Sequence, residues 1–372
     1  MSKSPIRVLV VDDSLLLREL LSDIIESDPG FTVVAKARDG QDALRKMEQY
    51  RPDVVTLDVQ MPGMDGLATL DAMLEKCPVP AVMVSALTTR DADVTLKALE
   101  RGALDYIAKP DRSQPADTEF RETLLRKLKA IAGADVKRIL RIRKSKRSPN
   151  TGRRASVAAG APPETSLDYS HGCVAVGIST GGPPALSQLF QSIELPLPPL
   201  VIVQHMPANF TGAFAARLDS ISAVSVKEAA TGDRLQPNHA YVARGGQHLI
   251  LQKRGHDVVL RVKQGQPVSG HMPSVDVMMQ SAAEIYGSRC VGVIMTGMGH
   301  DGVEGCRAIR AAGGYVLGQD EATSDVYGMN HAAYAAGHVH EQFSLDDLPA
   351  TLAKTCRQRL ARRPRTAASA VR

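Results

Sequence analysis

Tryptophan is absent, and aromatic residues make up only 4% of the 372 residues. Stacking platforms for single-stranded nucleic acid are built from aromatic faces and are not expected here. Cysteine is scarce and ill placed. Cys77, Cys173, Cys290, Cys306 and Cys356 are odd in number, scattered, and form no CxxC pair. That pattern fits neither a disulfide framework nor a zinc site, and a reducing cytoplasm is the simplest compartment. No apolar run is long enough to span a bilayer. The opening stretch, MSKSPIRVLVVDDS, meets two aspartates too early for a signal peptide. Membrane insertion is therefore not expected.

The formal net charge of +5 invites a nucleic-acid reading, but its location argues against one. Residues 137–154 carry nine basic and no acidic side chains, and residues 354–372 carry seven more. Without those sixteen, 29 basic side chains face 40 acidic ones, so the rest of the chain is acidic. A DNA-binding domain carries its basic excess on the fold itself. No nucleic-acid partner is expected, and the two basic segments read as solvated linker and tail.

The length predicts two or three domains. Over residues 6–128, apolar strand-like runs (IRVLVVDD, DVVTLDV, AVMVSA) alternate with helix-like segments (SLLLRELLSDIIES, DALRKMEQY, LATLDAML). Strands without in/out alternation, interleaved with helices, imply a parallel sheet covered on both faces. Residues 129–170 read as a helical lead-in and then a flexible linker rich in Ala, Pro, Ser and Gly. The alternation resumes at Cys173 with CVAVGIS, PPALSQLFQSI and PLVIVQH. HAYVAR, HLILQKR and DVVLRVK read as short strands of a hairpin region. The expectation is two doubly wound α/β domains, over 1–128 and 171–353, with a basic, disordered tail at 354–372. Ligand sites of such sheets lie at the carboxyl ends of the strands.

At those ends the first domain offers Asp12 and Asp13 after its first strand and Asp58 after its third. Three carboxylates in one pocket repel each other and need a hard divalent cation such as Mg²⁺. Ser85 ends the fourth strand, and its hydroxyl can hold a phosphoryl oxygen. Lys109, followed by Pro110, ends the fifth, where its ammonium can reach an Asp58 oxygen. A carboxylate held beside Mg²⁺ and lysine can accept a phosphoryl group. The DD pair, the D-x-x-MPGMDG string, the strand-four serine and the KP pair together resemble the receiver domain of bacterial response regulators. That resemblance implies phosphorylation at Asp58, Mg²⁺ held by Asp12, Asp13, Asp58 and the Gln60 carbonyl, and a Ser85–Tyr106 switch.

In the second domain, Gly177-Ile178-Ser179-Thr180-Gly181 fits G-x-S-x-G. A strand, a tight turn and a helix would expose the Ser179 hydroxyl above the sheet. The same string also reads as a Gly-rich turn in which Ser179 merely caps a helix. His205 ends the strand LVIVQH and is the candidate base, while His271 in SGHMPSVD ranks second, as substrate-contacting or structural. Asp301 lies just beyond the strand CVGVIMTG and is the candidate orienting acid. Glycines flank Met298, so that loop can turn backbone N–H groups toward a developing oxyanion. The chain order Ser, His, Asp differs from that of α/β-hydrolases, but a triad is defined by geometry.

GISTGGP, VQHMP, HMPSVDVM and MTGMGHDG, preceded by the receiver strings, resemble the chemotaxis protein-glutamate methylesterase family, usually called CheB, over nearly the full chain. The resemblance implies Ser179 as nucleophile, His205 as general base and acid, Asp301 as orienter, and oxyanion support from Thr180 and Met298. It implies a phosphorylation-activated serine hydrolase that demethylates glutamate methyl esters and deamidates glutamines on methyl-accepting chemoreceptor cytoplasmic helices. A CheA-type histidine kinase would be the phosphodonor, and the esterase chemistry itself would need no cofactor. The resemblance also implies that the receiver covers the Ser179 cleft until Asp58 is phosphorylated. Met279-Gln280 and Asn330 depart from residues frequent in the family, which bears on receptor docking and activation rather than on chemistry. Three rivals remain at this point: a transcriptional response regulator, a decayed esterase acting as adaptor, and an esterase for small molecules.

Overall fold

The structure is a computed structural model that describes residues 4–86, 88–110, 118–144 and 168–360. The first sheet takes β1 (Ile6–Val11), β2 (Phe31–Ala37), β3 (Val54–Asp58), β4 (Ala81–Ser85) and β5 (Asp105–Ala108) in the order β2-β1-β3-β4-β5, all parallel. Between them run α1 (Leu15–Glu26), α2 (Gly40–Tyr50), α3 (Gly66–Lys76) and α4 (Thr89–Arg101), followed by α5 (Thr118–Ile131). Every residue of β3 and β4 is buried, as the unbroken apolar runs require of strands covered on both faces. The starts of α1, α2 and α3 are local chemistry. Ser14, Asp39 and Asp65 accept from Leu17, Asp42 and Ala68 N–H groups that the first turn leaves without helical partners.

The second sheet has seven parallel strands. They are β6 (Cys173–Ile178), β7 (Leu200–Gln204), β8 (Ser225–Glu228), β9 (His239–Val242), β12 (Cys290–Ile294), β13 (Tyr315–Gln319) and β14 (Glu341–Phe343). Their order is β14-β13-β12-β6-β7-β9-β8. The helices here are α7 (Gly182–Ser192), α8 (Ala208–Ile221), α9 (Val275–Tyr286), α10 (Val303–Ala311), α11 (Met329–Ala335) and α12 (Leu348–Arg359). The chain builds outward from β6 to one side and then returns to add β12 on the other. The strand order therefore reverses at β6, which makes that strand's carboxyl end the expected crevice.

Three expectations change. The string HAYVAR does not join the hairpin: β9 pairs in parallel with β7 and β8, and only β10 (His248–Arg254) and β11 (Asp257–Lys263) form the antiparallel ribbon. Pairing partners are set by sheet position, which a short apolar run does not encode. The helical lead-in expected within 129–170 is present as α6 (Val136–Lys144), but it is packed rather than solvated. Its Val136 and Ile139 are buried in the first domain's apolar core, and Arg138 donates to the carbonyls of Glu321, Ala322 and Ser324 in the second. The flexible part of that linker, like most of the basic run, lies outside the described residues. Finally, the packed chain reaches Leu360: Cys356 and Leu360 are buried at the end of α12, inside the segment read as tail.

The two domains meet along α4, which packs on α7 and α8. One buried apolar cluster runs from Leu96, Leu99 and Tyr106 to Phe210 and Phe214. Polar contacts edge it, including Arg217 to both carboxylate oxygens of Glu100.

Candidate active site and acidic pocket

Ser179, His205 and Asp301 follow β6, β7 and β12, three adjacent strands of one parallel sheet. Ser179 leaves the strand on a turn: its carbonyl accepts from Gly182 N–H at 2.8 Å and from the Gln204 side-chain amide at 3.0 Å. Gly181 takes φ +79° and caps α7 with no side-chain bond. Ser179 is thus not the cap of that helix, and the bland reading of the string fails. A side chain at Gly182 would bring its Cβ within 1.9 Å of Gln204 Oε1, so the second glycine is a matter of space.

His205 Nε2 lies 2.8 Å from Asp301 Oδ2. An ionised carboxylate can only accept, so Nε2 carries the hydrogen and, in the neutral ring, Nδ1 holds the lone pair. Nδ1 is buried without a partner. The nitrogen free to take a proton is therefore the one that Asp301 does not touch. Asp301 does not cap α10, whose N-cap is Gly302. Its carboxylate turns instead to the N-terminus of α9, where it accepts from Ser274 Oγ at 2.8 Å, Val275 N–H at 2.7 Å and Asp276 N–H at 3.0 Å. Burial pushes the Asp301 carboxyl up, but the hydrogen bond and charge of His205, together with these N–H donors, outweigh it and hold it at about 2.

The sequence reading did not find Ser274 or Gln204. The serine was visible only as a cap before a helix, and it does cap α9 through Val277 N–H. Nothing in the string HMPSVDVM by itself says that a carboxylate 27 residues away shares that cap.

Thr180 and the loop that carries Met298 lie beside Ser179. Thr180 is buried, and its carbonyl accepts from Thr296 Oγ1 at 2.9 Å. Ser179 N–H donates to Thr296 O at 3.0 Å. Gly297, next in chain, runs so close that an added Cβ would sit 2.7 Å from Ser179 Cβ, and Met298 follows it half-buried.

The first domain reaches into this cleft. Asp105, at the start of β5, accepts from the Thr180 hydroxyl at 2.5 Å, and Lys127 of α5 holds the other Asp105 oxygen at 2.6 Å. Arg126 Nη1 lies 3.2 Å from His271 Nε2. Tyr106 packs on Phe210 with ring centroids 4.8 Å apart, and its hydroxyl is buried without a partner.

Of the departures from the family strings, Met279 is buried against Gly305 and Cys306. Gln280 is exposed. Asn330 is buried and donates to Gln319 O and Ser324 Oγ. All three lie outside the His205–Asp301 contact and the donors that hold Asp301.

The second site lies at the other sheet's carboxyl edge. Oxygens of Asp12, Asp13 and Asp58 lie within 4.8 Å of one another. Lys109 Nζ sits 2.8 Å from Asp58 Oδ1 and 3.0 Å from Asp12 Oδ2. Gln60 N–H donates to Asp58 Oδ1 at 3.3 Å. Burial and the Asp12 charge raise the Asp58 carboxyl to about 6 against the pull of Lys109. Asp58 Oδ2 is buried without a partner. An orphaned oxygen among three clustered carboxylates is what a hard divalent cation satisfies, so the residues fit Mg²⁺. The MPGMDG string has its own reason here: a Cβ at Gly66 would come 2.1 Å from the Asp58 carbonyl oxygen. Ser85 and Tyr106 do not bond each other. Ser85 Oγ accepts from Thr95 of α4 at 2.9 Å, whereas Tyr106 lies against the second domain.

Residues 174–352 match the family described as CheB methylesterase, and residues 8–116 match the response regulator receiver domain. This chain belongs to the CheB methylesterase family. It is 42% identical over 358 residues, covering 95% of this chain and 98% of the relative, to a protein-glutamate methylesterase/protein-glutamine glutaminase 2 of Pseudomonas aeruginosa. A protein-glutamate methylesterase/protein-glutamine glutaminase of Thiobacillus denitrificans is 42% identical, covering 92% of this chain and 95% of that one. One from Pyrococcus abyssi is 41% identical, over 94% of this chain and 93% of its own length. The enzyme thus carries a methylesterase domain behind a receiver domain. Among the described residues, no helix is long and apolar enough to cross a membrane.

Proposed function

We propose that the enzyme is a cytoplasmic serine hydrolase acting on glutamate side-chain methyl esters in the cytoplasmic helices of chemoreceptors, with Ser179, His205 and Asp301 as its catalytic residues. The bare Nδ1 of His205, opposite an Nε2 held by Asp301, is the observation that carries this reading. Ser179 Oγ attacks the ester carbonyl as His205 Nδ1 takes its proton. Met298 N–H and the Thr180 residue stabilise the oxyanion. Collapse breaks the carbon–methoxy bond, and the leaving oxygen takes the proton from His205 and departs as methanol. Water, deprotonated by the same nitrogen, then cleaves the acyl-enzyme to give glutamate and free Ser179. A glutamine amide follows the same path with ammonia as leaving group, in line with the double name of the relatives.

Asp58 is the proposed phosphoryl acceptor, with a CheA-type histidine kinase as donor. Mg²⁺, held by Asp12, Asp13, Asp58 and the Gln60 carbonyl, would offset the charge of the incoming phosphoryl group. Lys109 neutralises Asp58 in the resting protein and is placed to hold a phosphoryl oxygen afterwards. The docked receiver is the off state in this reading. Asp105 occupies the Thr180 hydroxyl, and Arg126 lies over His271 at the cleft. Phosphorylation would act through Ser85 and its Thr95 partner on α4, the helix that packs against α7 and α8. Methanol release from methylated receptor, with and without a phosphodonor, tests the whole reading. Equal release by the Ser179→Ala protein would overturn it.

A further inference from the structure

The chemistry proposed above uses His205 but leaves its ring held at one end only. Asp301 fixes Nε2, while Nδ1 has no partner. One hydrogen bond allows the imidazole to twist about that contact, and a twist carries Nδ1 away from a nucleophile. The missing restraint is a second histidine. The His271 ring lies parallel to that of His205, with centroids 3.7 Å apart and planes 6° from each other. The loop carrying His271 is itself pinned. Val268 and His271 exchange backbone hydrogen bonds of 3.0 and 2.9 Å, and Gly246 N–H donates to Met272 O at 3.0 Å. Three residues after His271, the same segment supplies Ser274, the first of the donors that hold Asp301.

We infer that His271 is a positioning residue: a flat, neutral platform that fixes the imidazole plane of His205 so that Nδ1 stays aimed for proton transfer from Ser179. The inference rests on the assignment of Ser179, His205 and Asp301 made above. With the receiver docked the contacts leave the ring neutral, and once it departs the facing His205 still disfavours a charge there. Arginine only donates, so the His271 Nε2 facing Arg126 is a lone-pair nitrogen. Burial and the facing charges of His205, Arg126 and Lys127 push the His271 ring well below its ordinary value, and Asp301 opposes them only in part. A charged platform would repel the imidazolium that His205 becomes during catalysis. The receiver's Arg126 thus touches the platform rather than the base, and receiver docking meets the catalytic histidine through this ring.

The test uses the full chain with phosphodonor and Mg²⁺ and reads methanol release from methylated receptor across pH. His271→Ala should lower kcat about tenfold or more while KM stays within about twofold, because orientation is lost and binding is not. That loss should be the same at every pH tested, since orientation and not protonation is changed. His271→Phe, which keeps a flat face and has no titrating nitrogen, should recover most of the kcat lost by His271→Ala. If His271→Ala melts early, His271→Asn serves in its place, being polar and without a ring. A His271→Ala enzyme with the parent kcat overturns the inference, as does a His271→Phe enzyme no better than His271→Ala, which would make a ring nitrogen the essential feature. Activity surviving in Ser179→Ala would instead remove the underlying assignment, so the two failures are distinct.

Discussion

Replacing Asp105 by alanine should switch the enzyme on without phosphorylation. In the docked state this carboxylate accepts from Thr180 Oγ1 at 2.5 Å and is buried at the domain junction. A hydrogen bond to a charged group contributes about 1.5–3 kcal/mol. Its loss also leaves the Lys127 ammonium, whose side chain is only 18% exposed, without its carboxylate in the closed form. The first effect acts on the closed form alone; the second, a pair within the receiver, acts on both forms and more strongly where docking keeps water from Lys127. At about 1.4 kcal/mol per tenfold, the closed-to-open ratio should fall by about tenfold to a hundredfold. Where the closed form dominates, kcat/KM of the unphosphorylated protein rises by the same factor. Asp105→Asn keeps an acceptor oxygen but loses the charge, so it should give a smaller rise, set by the about 1–1.5 kcal/mol by which a charged hydrogen bond exceeds a neutral one. The assay is methanol release from methylated receptor, with and without phosphodonor. In Asp105→Ala the phosphodonor should add proportionately less, because part of its effect is already present. If unphosphorylated Asp105→Ala stays within twofold of the parent while phosphodonor still activates both, the Thr180 contact does not hold the cleft shut.

Ser179→Ala should abolish labelling by a fluorophosphonate probe, which separates a working esterase from a decayed adaptor; persistent labelling would place the nucleophile elsewhere. Asp301→Asn should lower kcat by several orders of magnitude, as the corresponding change does in the serine-protease template (about 10⁴), with a smaller loss if solvent compensates. The Asp301 carboxyl is held at about 2, below its ordinary 3.8. Its contribution to stability is therefore complete above pH 3.8 and lost as pH falls toward 2, so acid melting of Asp301→Asn should be flatter than that of the parent across that window. Borohydride trapping after treatment with acetyl phosphate and Mg²⁺ should map the label to Asp58, and a label remaining in Asp58→Asn would refute that site. Removing the receiver, as in residues 168–372, should raise basal activity and remove the response to phosphodonor, whereas a fragment no faster than the unphosphorylated whole would rule out the closed-cleft account.

What the sequence determined on its own is the set of parts. Unbroken apolar runs ending in Asp12, Asp58, Ser85, Ser179, His205 and the loop to Asp301 announce buried parallel strands, and such strands deliver whatever follows them to one edge of the sheet. Asp301 was legible as an acid at that edge, as was the glycine-lined turn after Ser179. Tertiary structure decided which atoms meet. No pattern along the chain says that Asp301 takes His205 by Nε2 and leaves Nδ1 bare, or that Ser274 and the first N–H groups of α9 hold that carboxylate. The docking of Asp105 on Thr180, 75 residues apart, was equally hidden, because a strand-end aspartate and a turn threonine are each acceptable beside water. The helix α6 lies in the segment read as a helical lead-in, and it packs because Val136 and Ile139 share one face with a neighbour that the sequence does not name. Local periodicity encodes elements. Partners fixed by the meeting of two surfaces leave no period, and the proposed control of this enzyme rests on those partners.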